Sequence, residues 1–494
     1  MSHQYRADII FTLLPVALLL GSAAIIGAIG ALRRGTHPGW YRAIAVVGLL
    51  GASAAGLNAL YRMRFSPNFV GIDTMAGGIL GDRFAVFAEC AACGLAVLVI
   101  LGASLGWVAL HGRRAAFHSL VLTAAAAIAL MANTREMAAL LAAATLLVVA
   151  LVGLAALTKA DGRSIEATLK QLVLLGVALG LLAEGLAIIY GLTGSTDLAR
   201  SRVAYGGGAA GEGLGLALCL LGAAGLLGAA PLHRWVVNAA EGLAPVTGAA
   251  VIGLGGFGGA VLLTRLTVSG FGPALRPWLS LATVVAAVAT LAPALLALRV
   301  TDVRRLIGLL ASLQAGLLLV AVLGSGPGGD HTPAAGATAL LMGAVVFAVA
   351  AIGSMLAVGS LHVSGIASEI DSLRGLARRS PATAISLTIG LVALVGLPPL
   401  GGFLVRILIA SSAVAAGYAW VALLGLLASA LAAVAVIRFL VAVYVEDNEE
   451  RAPLEAAPRM ARIAVAACAV LGVMATLLAQ PLLLLVNGAS LALH

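Results

Sequence analysis

The sequence predicts an all-α polytopic membrane protein of about fourteen transmembrane helices, two of them broken near the middle. Three observations carry this. Of the 494 residues, 62% are apolar and only 10% charged, with a mean hydropathy of +1.11; soluble domains carry about 25% charged residues. Apolar runs of bilayer length recur down the whole chain, with no polar block between them long enough to fold by itself. Strand-like alternation with aromatic girdles is missing, which excludes a transmembrane β-barrel.

A hydrocarbon core about 30 Å thick needs about 20 residues at 1.5 Å rise each. The first apolar run, 9–32, has that full length and is read as a helix, not as the short apolar core of a signal peptide. The spans are 8–32, 43–61, 84–110, 116–133, 136–157, 168–193, 213–236, 244–268, 278–298, 304–324, 334–361, 382–411, 412–444 and 461–487. The 61 glycines, with abundant alanine, allow the close backbone approach that helix association in lipid requires. Lys and Arg fall about two to one in the loops after odd-numbered spans. This bias puts those loops in the cytoplasm and both termini on the other side of a bacterial plasma membrane.

Two spans carry Gly and Pro near the middle: Gly228-Ala229-Ala230-Pro231-Leu232-His233 in span seven and Gly396-Leu397-Pro398-Pro399-Leu400-Gly401 in span twelve. Proline lacks a backbone donor and clashes with the preceding turn, so Pro231, Pro398 and Pro399 are expected to interrupt their helices. Five spans separate the breaks. Because five is odd, corresponding helices run in opposite directions, which suggests inverted repeats. The division is then 1–115 for spans one to three, 116–268 for the first repeat, 269–445 for the second, and 446–494 for a loop and the last span.

Several weaker signals are set aside. Gly253, Gly255 and Gly258 satisfy G-x-G-x-x-G but sit inside an apolar helix, without the strand that a dinucleotide site needs. Cys90 and Cys93 share a helical face with no second pair beside them, so neither a metal nor a disulfide is implied. A net charge of +9 carried by short loops orients the chain in its membrane and points to no nucleic acid. The acidic run from Glu446 to Glu450 reads as a solvated loop.

Local motifs resemble the antiporter-like membrane subunits of proton-pumping NADH:quinone oxidoreductase, respiratory complex I, with subunit N the best fit. The matching segments run from Ile188-Ile189-Tyr190-Gly191 to Asp197-Leu198, then Pro231, His233, Trp235, Glu241-Gly242 and Pro245. Leu298-Arg299 with Asp302, Arg304 and Arg305 follows, then Gly375 to Pro381 and Gly396-Leu397-Pro398-Pro399 with Gly402-Phe403. They occur in family order over about residues 75–445. The resemblance implies a membrane-arm subunit moving protons, driven by quinone reduction elsewhere. It also implies other membrane-arm subunits and lipid as partners, no cofactor in this chain, and quinone, flavin and iron–sulfur clusters in partner subunits.

The family's proton route uses a glutamate in helix five, lysines in helices seven and eight, and a lysine or glutamate in helix twelve. Lysine suits the task because its pKa falls readily on burial. Here the only lysines are Lys159 and Lys170, near the loop between spans five and six. The family positions fall on Ala143 or Ala144, on Leu226, on about Gly256 and on Arg406. Arginine keeps the charge but does not deprotonate. Arg406 therefore needs partners: water, carbonyls freed by the proline break, or a carboxylate such as Glu184, mid-span in helix six. His233, of a residue type whose ordinary pKa is near neutral, and Gln314, at a position often polar in the family, complete the proton-path candidates. Glu184 and His233 also have structural readings, a helix-interface glutamate and a histidine fixed by its motif; Arg304 and Arg305, opening span ten, read as snorkelling to headgroups. Glu89 and Asp82 read as polar contacts within the bundle. Two alternatives stay open: an accessory paralogue without its own proton channel, and a component of a multi-subunit cation/proton antiporter.

Overall fold

Hydropathy alone accounts for most of the architecture. The computed structural model describes residues 3–32, 38–64, 72–74, 78–106, 113–158, 162–198, 200–201, 210–271, 279–324, 334–446 and 457–491. Lys159 and residues 447–450 of the acidic run lie outside them. The described helices in the N-terminal part are α1 His3–Leu32, α2 Pro38–Arg64, α3 Arg83–Gly102, α4 Arg114–Asn133, α5 Met137–Ala156, α6 Gly162–Thr193, α7 Ala210–Leu227, α8 Arg234–Gly242 and α9 Pro245–Thr264. They continue as α10 Leu279–Ala297, α11 Val303–Leu323, α12 Ala334–Val363, α13 Leu376–Arg379, α14 Pro381–Val395, α15 Gly401–Ala415, α16 Ala419–Tyr444, α17 Arg459–Leu477 and α18 Ala479–Leu491. Eleven described helices are long and apolar enough to cross a membrane.

Local chemistry sets many ends. Asp82 caps α3, accepting from the Ala85 amide at 2.7 Å, and Asp302 caps α11, accepting from Arg304 N at 2.7 Å and Arg305 N at 3.1 Å. Pro245 and Pro381 open α9 and α14, where the missing N–H costs nothing. Hydropathy did not anticipate a short antiparallel hairpin before α3, β1 Ile72–Thr74 and β2 Ile79–Gly81, whose Ile79 bridges Thr134 beyond α4.

The two Pro-bearing segments interrupt their helices as expected. Gly228, at φ 92°, follows α7, and Gly396, at φ 77°, follows α14. Such left-handed backbone favours glycine and ends the helix. In both breaks a proline sits three residues after that glycine, Pro231 and Pro399, each preceded by a cis peptide bond. Two other boundaries differ from the hydropathy reading. The run 461–487 is divided at Leu478 into α17 and α18, with Pro481 in the first turn of α18, where it has no N–H to continue the preceding ladder. The junction drawn at 411/412 falls after Ala415, where Gly417 adopts φ 89°.

Helices α9 and α11 form the centre. Every residue of α9 is buried, and so is all of α11 beyond Arg304 and Arg305. A helix apolar all round belongs in such a position. Helix α9 packs on α12, α8 and α10 pack on α11, and α6 packs on α7. The outer helices leave Val47, Val173, Leu423 and Val470 exposed as a lipid-facing rim. One contact depends on a missing side chain: a Cβ on Gly402, in the first turn of α15, would lie 1.9 Å from the Ala393 carbonyl oxygen of α14. Replacing Gly402 by Ala is therefore expected to cost about 1–3 kcal/mol through overpacking. Gly180→Ala, with open space around its Cβ position, should change stability by less than about 1 kcal/mol. Thermal unfolding of the purified variants in nanodiscs checks the contrast.

Candidate functional site

Breaking a helix frees carbonyls that lipid cannot solvate. At the first break, buried Trp235 donates Nε1–H to the Gly225 carbonyl at 2.9 Å. At the second, Arg406 from α15 turns back on the end of α14, donating Nη2–H to the Leu394 and Val395 carbonyls at 3.0 and 3.2 Å. Its Nη1 donates to Gln314 Oε1 on α11. Arg406 and Gln314 are 3% and 1% exposed. Gly396 makes room for this reach, because a Cβ there would lie 2.6 Å from Arg406 Nε. The guanidinium sits at the negative end of the α14 dipole, which favours a fixed cation.

The candidates thus separate. Arg406 and Gln314 come together, and the partners of Arg406 are freed carbonyls and an amide. Glu184 is not among them: it lies on the exposed face of α6, and no described salt bridge joins it to Arg406. Glu184 therefore does not serve as the counter-ion of Arg406 within this chain; the apolar residues on all sides of it in α6 gave no sign of which face turns inward.

His233, directly after the first break, opens instead on a polar cleft of about 670 Å³. Arg163 and Lys170 of α6, Asn238 and Glu241 of α8, and Arg305 of α11 line it with Asp302, the cap of α11, and Glu369. Burial raises the Glu241 carboxyl above its usual range against the pull of Arg305, whose Nε lies 3.7 Å from Glu241 Oε1. Arg304 does not snorkel to headgroups. It donates Nε–H to the Ala240 carbonyl at 2.6 Å and Nη2–H to the Leu243 carbonyl, tying α11 to the end of α8.

At three of the family's carrier positions the interior is apolar. Ala143, Ala144 and Leu226 are buried, and a Cβ on Gly256 would lie 2.3 Å from the Phe347 ring, which fills that space. At the opposite end of α9, Arg265 forms a buried ion pair with Asp82, Nη1 to Oδ2 at 2.8 Å. It also donates Nε–H to the Ala132 carbonyl at 2.8 Å and lies over the Phe84 ring. The hydropathy reading places Arg265 near the end of the span 244–268. The available signal was an arginine and an aspartate ending apolar runs on the same side of the bundle.

Comparison with known proteins follows the same lines. Residues 113–432 match the family described as NADH:quinone oxidoreductase/Mrp antiporter, transmembrane. An NADH-quinone oxidoreductase subunit N 2 from Symbiobacterium thermophilum is 31% identical over 364 residues, covering 70% of each chain. A chain of respiratory complex I from Thermus thermophilus superposes with a TM-score of 0.77 at 24% identity, covering 95% of this chain and 98% of that one. A chain of the Mrp complex from Dietzia sp. gives 0.82 at 18% identity, with 97% of each covered.

If Arg406 and Trp235 hold the breaks together, Arg406→Ala and Trp235→Phe should each lower stability by about 1–3 kcal/mol, since each leaves buried carbonyls unpaired. Arg406→Lys should recover part of the first loss. Thermal unfolding in nanodiscs reads both; a melting temperature unchanged by Arg406→Ala would deny the capping role.

Proposed function

This chain belongs to the NADH:quinone oxidoreductase/Mrp antiporter transmembrane family, and on that premise we propose that it is a membrane-arm subunit of a complex I type assembly, contributing to proton translocation coupled to quinone reduction. The observation that carries the reading is the polar cleft ending at His233 beside a broken helix, within the region matched to the family. The cleft lies among loops that the charge bias assigns to the cytoplasm, so His233 would take protons from that side and both termini would lie on the other. We read fourteen membrane passages, with the repeats at 116–268 and 269–445; the matched Gly-x-x-Pro breaks, Gly228 to Pro231 and Gly396 to Pro399, support this. Redox cofactors belong to partner subunits. Glu184 fits a contact with one of them, because an unpaired charge facing lipid at mid-span costs about 2.5–3.5 kcal/mol.

A second reading is favoured by a specific observation. Phe347 occupies the space a carrier at Gly256 would need, and Leu226 is apolar and buried. A subunit built this way would fill its place in the assembly without a channel of its own.

One experiment separates the two. The assembly is purified through a tag on this chain and reconstituted in vesicles. NADH:quinone reductase activity is expected to co-purify, and His233→Ala should lower the protons moved per electron while quinone reduction continues. Without co-purification, membership of such an assembly is wrong; an unchanged ratio in His233→Ala gives the second reading the stronger claim.

A further inference from the structure

A second group of ionisable side chains lies away from the cleft, where α3, α4 and α9 meet. Glu89, nearly two turns into α3, is 3% exposed. Its Oε1 accepts a hydrogen bond from Asn133 Nδ2 at 2.5 Å, and its Oε2 faces Gly56 of α2, where a Cβ would lie 2.9 Å away. Asn133 adjoins Ala132, whose carbonyl binds Arg265, and Arg265 pairs with Asp82. The last turn of α4 thus links Glu89 to the ion pair. Among the described residues Cys90 and Cys93 also lie close by, and Cys90 Sγ points at the Ser53 carbonyl.

The cluster holds two carboxyl groups and one guanidinium. A net charge inside hydrocarbon is costly, so neutrality calls for one bound proton. The contacts decide which carboxyl carries it. Asp82 has the Arg265 guanidinium at 2.8 Å as an ion pair and accepts from the Ala85 amide at 2.7 Å, an opposite charge and a donor that both favour a carboxylate. Glu89 has one neutral amide, and its second oxygen faces a glycine.

We propose that Glu89 is a proton-binding site of the membrane interior, resting as the neutral acid and exchanging its proton on the side of the membrane where α3 begins, with its protonation governed by the Asp82–Arg265 pair. The proton sits on Oε2 while Oε1 accepts from Asn133. If Asp82 is neutralised, Arg265 becomes the counter-ion of Glu89, which gives up the proton. The inference rests on the proton-handling function above and adds the carboxyls of Asp82 and Glu89, which lie ahead of the matched residues 113–432, to Asn133 and Arg265 within them.

The test uses the purified assembly with ¹³C-labelled glutamate, read by infrared spectroscopy. A carboxylic-acid C=O stretch from glutamate, moving to lower frequency in D₂O, should be present in the unaltered chain and lost in Glu89→Gln. Asp82→Asn should also abolish it although Glu89 remains. In vesicles, Glu89→Gln should lower the protons moved per electron while quinone reduction continues. The proposal is overturned by any of three results: no such band near neutral pH, a band that survives Asp82→Asn, or an unchanged proton ratio in Glu89→Gln. Should Glu89→Gln not assemble, the labelled band in the unaltered and Asp82→Asn assemblies still decides. If the unaltered assembly moves no protons, the functional reading fails, whereas the infrared arms still report the state of Glu89.

Discussion

Inside a hydrocarbon layer a backbone carbonyl finds no solvent, so each place where a helix stops must supply its own donor. This constraint organises the chain. Arg406 covers the end of α14, Arg304 the end of α8 at Ala240 and Leu243, Arg265 the end of α4 at Ala132, and Arg438 the end of α10 at Leu298 and Val300. Trp235 does the same for α7. A guanidinium suits the position: its fork of donors spans neighbouring carbonyls, and its positive charge meets the negative end of the helix dipole. With only two lysines in the chain, nearly all its basic groups are of the kind that caps well.

The same preference limits proton chemistry. A guanidinium stays charged throughout the physiological range, so a cation that closes a helix break cannot also hand its own proton onward. What remains titratable is distributed unevenly. The cleft at one end gathers His233, Glu241, Asp302 and Glu369, the centre around Leu226, Gly256 and Phe347 is apolar, and Asp82 and Glu89 lie buried toward the other end. The fold has broken helices, and the ionisable groups of the cleft and of α3 lie toward its two ends.

Much of this was legible in the sequence, for reasons that differ by element. Helix positions followed from hydropathy because one run of about 20 apolar residues spans the bilayer by itself. Both breaks followed from Pro231 and Pro398-Pro399, since a missing N–H acts within its own turn. The meeting of Arg406 with freed carbonyls was among the foreseen outcomes, because guanidinium and break lie within one span. Glu184 was misjudged because its partner was sought on another helix, and Arg304 because capping and snorkelling look alike until the neighbouring helix end is known. The hairpin before α3 and the division at Leu478 were missed: short elements leave little periodicity to read.

The sequence by itself determined that this chain enters an apolar environment repeatedly, where two of its helices break, and that its basic groups are mostly arginines, because each of these follows from covalent chemistry acting over a few residues. Only the tertiary structure decided that Arg265 meets Asp82, that Phe347 fills the space beside Gly256, and that Glu184 faces outward while Glu89 faces in. The reason is rotational. A helix apolar on every side carries no stripe to set its azimuth, so the face each residue presents is set by the fit of neighbouring helices far away in the chain.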